Sequence, residues 1–255
     1  MADPFRGRGW IVTGAASGIG LATARALAAR GARLCLWDMN AGALEKAAAE
    51  LRAESAVADV ARPDEVREAM DGASARLGGL HGVVHSAGIL RTGLFEALPA
   101  EEHQRSVEVN LVGTMAVAHA ALPHLRKTRG SLVMLASSSA FYGPPEFASY
   151  GAAKAGVLSL AQSLRIETRG SGVHVAAVFP LFVSSPMMTG ANAEARLFRR
   201  MGATHTPEEV AGAILRGIEE RKPCVFPSFK PRFLFWLSRH STTLFPWLMQ
   251  KTWHR

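Results

Sequence analysis

The 255-residue sequence predicts a doubly wound α/β fold: a parallel sheet of about seven strands in a single domain, followed by a C-terminal extension. Three observations predict it. Short apolar runs alternate with helix-period segments as far as residue 226. One helix separates most successive runs, and a crossover of that kind sets the next strand parallel and covers both sheet faces. The first run opens through a glycine-rich turn into a helix, the usual ligand end of such a sheet.

The elements follow in order. Residues 10–12 form the first apolar run, and 19–29, rich in Ala and Leu, the first helix. Strands are expected at 33–37 and 56–60 with a helix over 41–53 between them. Pro63, a good first-turn residue, opens another helix. A strand at 82–85 precedes a long helix over 100–125 with Pro123 near its end. Strands at 131–135 and 173–179 enclose a helix over 149–169. Thr206, Pro207, Glu208 and Glu209 give a cap, a first-turn proline and early acids to a helix reaching 220. Residues 224–226 form the last strand. The segment 182–205 and the tail after Glu220 stand outside the alternation.

Composition narrows the function classes. An apolar fraction of 48% and a charged fraction of 20% exclude wholesale disorder. Two cysteines, Cys35 and Cys224, make no disulfide framework and suit a reducing, cytoplasmic setting. No secretory signal and no membrane-spanning run is expected. The net charge of +8 is unevenly placed: residues 221–255 hold seven Lys/Arg and no Asp/Glu, leaving 22 basic and 21 acidic groups in the other 220 residues. A nearly neutral body disfavours nucleic acid as a partner. Nine histidines fall without metal-ligand spacing, and no metal is expected.

The first strand runs into Thr13, Gly14, Ala15, Ala16, Ser17, Gly18, Ile19 and Gly20. Glycines permit a tight turn and close approach by a pyrophosphate, and the helix that follows offers unpaired N–H groups. Asp38 ends the second strand. An acid there accepts from the 2′-hydroxyl of an adenosine ribose and repels a 2′-phosphate. No Lys or Arg occurs at 15–17 or at Met39, so NAD(H) is expected over NADP(H). Asp38 also stands where a helix-capping acid would.

Tyr150 and Lys154 are four apart on one helix face. Ser137 stands 13 residues before the tyrosine at the end of the fifth strand, and Asn110 lies in the long helix. Together with the glycine turn, these residues resemble the short-chain dehydrogenase/reductase family over nearly the whole chain except the tail. The resemblance implies a Rossmann-like fold and a dinucleotide-binding catalytic domain over 1–226 with a substrate lid at 182–205; composition marks 227–255 as an aromatic, basic extension. It assigns Tyr150 as general acid/base, Lys154 to the nicotinamide ribose and to lowering the tyrosine pKa, Ser137 to the substrate oxygen, and Asn110 to a water linking Lys154 to solvent. Ser138 and Ser139 adjoin Ser137, so its assignment depends on register. Asn110 also suits a buried, hydrogen-bonded helix position.

Further cofactor residues follow from the resemblance: Asp59 and Val60 beside the adenine, Ser86, Ala87 and Gly88 under the cofactor, and Pro180, Val183 and Ser185 at the nicotinamide. Capping near Pro63 is a competing role for Asp59. The chain departs from the family at His85 and Ser86, where two Asn are usual, at Leu181 for Gly and at Ser185 for Thr.

The lid carries Met187, Met188, Leu197, Phe198 and Met201. Tyr142, Phe147 and Phe182, with Leu90 and Phe95, are expected to join it in an apolar pocket. The expected activity is hydride transfer between NAD(H) and a hydroxyl/carbonyl pair of a lipid-, steroid- or retinoid-like substrate. A 3-oxoacyl-thioester reductase and a non-catalytic nucleotide sensor are the alternatives. The family resemblance implies homodimers or homotetramers through the helices at 100–125 and 149–169. The tail holds eight of the 19 aromatic residues, among them Phe229, Phe233, Trp236, Phe245, Trp247 and Trp253. It suits either a protein surface, the expectation favoured on burial grounds, or peripheral contact with anionic lipid.

Overall fold

The structure, a computed structural model, describes residues 3–240. Seven strands form one parallel sheet: β1 (Gly9–Thr13), β2 (Arg33–Asp38), β3 (Glu54–Val57), β4 (Gly82–His85), β5 (Ser131–Leu135), β6 (His174–Val178) and β7 (Cys224–Val225). Their order is β3-β2-β1-β4-β5-β6-β7. The winding reverses between β1 and β4, so the chain parts there at the carboxyl ends, Thr13 beside His85.

Two apolar layers cover the sheet. Ile11, Val83, Leu132 and Val175 face α3 (Pro63–Arg76), α5 (Gly113–Thr128) and α6 (Ala148–Glu167). The alternate residues Val12, Val84, Val133 and Ala176 face α1 (Gly18–Ala29), α2 (Ala41–Leu51) and α8 (Pro207–Glu219). The period of two along each strand assigns the faces. A capping box starts α8: Thr206 accepts from the Glu209 N–H at 3.2 Å, and the Glu209 carboxylate accepts from Thr206 N–H at 2.8 Å.

Two elements differ from expectation. The third strand is at Glu54–Val57 rather than 56–60. Ala58 and Val60 belong to the following loop but are buried, and so imitate a strand's apolar pattern. The long helix is not one α-helix. After α4 (Ala100–Val107) the chain makes a π-helical turn at Glu108–Val112, and Gly113 N–H bonds the Glu108 carbonyl five residues back. Such turns occur often at functional sites, and this one carries Asn110. Gly156 of α6 meets this turn, where an added Cβ would come within 2.8 Å of Leu111. One small residue of α6 thus serves a contact within the chain.

The segment 182–205, expected to be a lid, holds a pair of 3₁₀ turns and α7 (Arg196–Met201), returning to the body where Val183 bridges His205. The tail begins as α9 (Phe229–His240). Phe245, Trp247 and Trp253 lie outside the described residues. Among the described residues, no helix is long and apolar enough to cross a membrane.

Trp10 lies flat over its strand neighbour Gly82, where an added Cβ would come within 2.1 Å of the indole. Gly82→Ala should therefore cost about 1–3 kcal/mol by overpacking. Gly42→Ala, in α2 with open space around it, should be neutral or stabilising. Urea denaturation of the two variants checks the opposite signs.

Candidate active site

The cleft lies where β1 and β4 part, and its floor is backbone. Gly14 has φ +65°, and a Cβ on it would sit 2.8 Å from Ala87 N. A Cβ on Gly20 would sit 2.0 Å from the Gly14 carbonyl oxygen. Both positions therefore require glycine. Ser17 is the N-cap of α1, yet its side chain makes no capping hydrogen bond. The first N–H groups of α1 are left to an anion. Ser185 approaches across the turn, within 3.3 Å of a Cβ on Gly18.

Asp38 reaches this turn from β2. Its carboxylate accepts from Ala16 N–H at 3.0 Å and from Asn40 N–H at 3.0 Å. Asn40, not Asp38, caps α2, accepting from Ala43 N–H at 3.1 Å. Asp38 thus stays in the cleft wall with Gly14, Ser17, Gly18 and Ile19.

The cleft, of about 280 Å³, continues past Ser86 and Gly88 to Ser137, Tyr150 and Lys154. Ser137 caps the 3₁₀ turn Ser138–Phe141, accepting from Ser139 N–H at 3.2 Å. Its hydroxyl also bonds Tyr150. The Ser138 hydroxyl instead donates to the Pro180 carbonyl at 3.0 Å, tying the ends of β5 and β6. Of the three serines, Ser137 is the one joined to the tyrosine. Pro180 and Val183 line the cleft from β6 onward.

Lys154 Nζ donates to the Leu135 carbonyl at 2.7 Å and lies 5.6 Å from the Tyr150 ring centre. Burial pushes the lysine down to about 8. Burial pushes Tyr150 up to about 12, against the hydrogen bond from Ser137. In the protein alone, loss of water outweighs what the neighbours supply; the expected depression of the tyrosine pKa calls on a nicotinamide cation as well as Lys154. Asn110 stands behind this pair. Its amide donates to the Ile89 and Ser106 carbonyls at 2.8 and 2.9 Å, while its buried Oδ1 has no partner. A Cβ on Gly88 would sit 2.6 Å from that oxygen and 3.6 Å from Lys154 Nζ. The unmet acceptor beside the lysine fits a bridging water.

Four cofactor expectations fall outside the cleft wall: Gly20, packed beneath the turn on the Gly14 carbonyl, and Asp59, Val60 and Ala87. Asp59 accepts from Ala61 N–H and pairs with Arg105 at 2.9 Å, bracing its loop to α4. That guanidinium and the backbone N–H, acting against burial, hold its carboxyl below the usual range. Val60 is core, packed on Gly113. Ala87 works through its N–H, which donates to the Thr13 hydroxyl at 3.1 Å.

The half of the cleft expected to take substrate is apolar. Tyr142, Phe147, Phe182 and Met187 all line it, with Leu90, Pro144, Leu181, Met188 and Leu197. Phe182 packs on Phe147 and Phe198. Phe95 does not join them; it is exposed and stacks on His103. The segment 182–205 is tied to the body by Asn192, whose amide donates to the Leu90 and Met187 carbonyls at 3.1 and 2.9 Å. Sequence reasoning missed Asn192 and the Leu135 carbonyl. Neither belongs to a motif, and a backbone acceptor has no side-chain signature.

His85 holds the switch point. The Thr13 hydroxyl accepts from Ser86 and Ala87 N–H, so its own proton goes to His85 Nδ1 at 2.8 Å. The proton of the neutral ring is then on Nε2, which is buried without a partner. Burial, with the Lys154 charge adding to it, pushes this imidazole down to about 3. A depressed folded pKa contributes stability above the unfolded value of about 6.5, lost as pH falls towards 3. His85→Asn should remove that component and flatten the fall in stability over this window. Thermal melts of both proteins across the acid range check it.

The comparisons with known proteins agree with this geometry. The short chain dehydrogenase family model matches residues 9–196. The cis-4-hydroxycyclohexanecarboxylate dehydrogenase of Sinomonas cyclohexanicum is 37% identical, over 84% of this chain and 90% of its own. A 3-oxoacyl-[acyl-carrier-protein] reductase of Thermotoga maritima is 34% identical, over 83% and 90% respectively. Among solved structures, a short chain dehydrogenase/reductase of Burkholderia phymatum in complex with NAD superposes with a TM-score of 0.81 at 25% identity, covering 91% of this chain and 92% of that one. A glycine turn at the sheet's switch point, a Ser–Tyr pair beside a buried Lys and this breadth of similarity make the chain a member of the short-chain dehydrogenase/reductase family of oxidoreductases.

Proposed function

We propose that the protein is an NAD(H)-dependent alcohol dehydrogenase or ketone reductase acting on an apolar substrate. The observation that carries this reading is the continuity of one cleft: Asp38 and the α1 N-terminus at one end, Ser137 and Tyr150 in the middle, and a wall of Phe, Leu and Met at the other.

The residues fit a dinucleotide. The glycine cradle has no room for side chains, Ser17 leaves the helix N–H groups unclaimed, and Asp38 stands ready for ribose hydroxyls. Lys154 would hold the nicotinamide ribose, exchanging its bond to Leu135 for hydroxyl acceptors. Bound there, the nicotinamide supplies the hydride acceptor or donor. Ser137 donates a hydrogen bond to the substrate oxygen and stabilises charge developing on it. Tyr150 Oη gives its proton to that oxygen in reduction and receives it in oxidation. The protonated phenol favoured by burial is the form that reduction needs. Asn110, with its free Oδ1, would hold the water through which Lys154 exchanges protons with solvent. Leu90, Phe147, Phe182 and Leu197 exclude water around the reacting carbon and favour a substrate with little polarity.

Two measurements test the reading. NAD⁺ should exceed NADP⁺ in kcat/KM by at least about tenfold, since one unfavourable carboxylate–phosphate contact of about 1.4 kcal/mol gives that factor. Asp38→Ala should narrow the gap, and equal use of both cofactors by the unaltered protein would refute the preference. The screen runs long-chain, steroid and retinoid alcohols against small polar ones. With the best of these, Tyr150→Phe should lose roughly 10²-fold or more in kcat while NADH binding, followed by fluorescence, stays nearly intact. Lys154→Ala should weaken both.

A further inference from the structure

We infer that α9 is an interfacial helix that seats the protein on an anionic lipid surface. The helix has two apolar faces with different fates. Its inner face is already occupied: Phe235 packs on Phe141 at 4.8 Å and on Phe226 at 5.4 Å between ring centres, and Pro231 is buried. The outer face carries Phe229, Phe233 and Trp236, which are 74%, 45% and 53% exposed. Their spacing of four and three residues sets them in one stripe. They stack in sequence, 5.9 Å from Phe229 to Phe233 and 6.1 Å from Phe233 to Trp236. Large aromatic side chains held in a row towards solvent are an interaction surface rather than scattered exposure.

Charge identifies the occupant. On a helix of 3.6 residues per turn, Lys230 falls on one flank of the stripe, Arg232 and Arg239 on the other. All three are exposed. From residue 221 to 255 there are seven Lys/Arg and no acid, although the rest of the chain is nearly balanced. A second copy of the chain, pairing through the same face, would set these cations against each other. An anionic bilayer instead offers countercharge to the flanks and acyl chains to the stripe. Aromatic rings with a polar neighbourhood favour that boundary. Residues beyond the helix continue the pattern in sequence, with Phe245, Trp247, Leu248 and Met249 before Lys251 and Arg255.

The location adds a consequence. Phe141, on which α9 rests, belongs to the short turn capped by Ser137. A helix lying on lipid would therefore carry that turn, and Ser137 with it, on its protein side.

The test is co-sedimentation of the full chain with vesicles of phosphatidylcholine alone and of phosphatidylcholine with about a third phosphatidylserine. Binding to the anionic vesicles should be clear at low salt and fall as salt rises; binding to phosphatidylcholine alone should be weak. The triple variant F229S/F233S/W236S should lose at least about tenfold in apparent affinity. Its melting temperature and NADH binding should match the parent, because the three side chains face solvent. K230E/R232E should lose the preference for anionic lipid. Absence of sedimentation at low salt, or equal binding by the triple variant, would overturn the inference. So would a parent oligomer that the triple variant splits in light scattering without any vesicle binding, which would assign the face to a second copy. These readouts need no turnover, so they stand or fall apart from the proposed activity.

Discussion

The contact of backbone on backbone between Gly14 and Ala87 is the constraint on which the site depends. At the switch point two neighbouring strands send their chains in opposite directions, and the sheet's ladder ends. The Thr13 hydroxyl accepts from Ala87 N–H and shares the Ser86 N–H with the Thr13 carbonyl, and His85 takes the hydroxyl's proton. This network holds the Ser86–Ala87 backbone against the glycine turn. The turn in turn presents the first N–H groups of α1 to the cleft. A side chain at Gly14 would wedge these chains apart, and the anion site would open with them.

The polar groups above this floor are held at a cost. Lys154, His85 and Asn110 are removed from water and Tyr150 is half-buried, and each is incompletely partnered or pushed from its ordinary pKa. A chain selected for stability alone would not keep a lysine with one carbonyl for company. Such frustration concentrates where ligand groups complete the bonding. The two apolar layers on either side of the sheet offset it. They are rigid enough that Lys154 and Ser137, from different elements, meet the same tyrosine.

The sheet and its glycine turn were legible because they rest on local signals: alternation, strand-bounded glycines and an acid at the end of the second strand. Tyr150 and Lys154 were legible because their helical spacing comes together with the glycine turn, Ser137 and Asn110 in a family pattern. Ser137 needed its register, which the structure supplies by sending Ser138 to Pro180. The boundaries of the third strand were misjudged because a buried loop, Ala58 to Val60, shares the apolar character of a strand. The π-helical turn was invisible because no residue type demands it; it is met by α6 at Leu111 and Gly156 and by Val60 at Gly113. Asp59 fits the acid position in the family motif, yet its charge partner is Arg105, from 46 positions away. Long-range pairings of that kind leave no trace in spacing.

The π-helical turn also bears on how this segment can vary. It holds one residue more than an α-helical turn, and one residue rotates everything beyond it by about 100°. Val117, Ala121 and Leu125 of α5 face the core only because that rotation is present. Substitutions at the exposed positions of the turn leave the phase of α5 untouched. Loss of a single residue would swing its apolar side away from the sheet and turn a polar side inward. The length of this stretch is therefore under tighter restraint than its composition, the reverse of what holds in the surface loops.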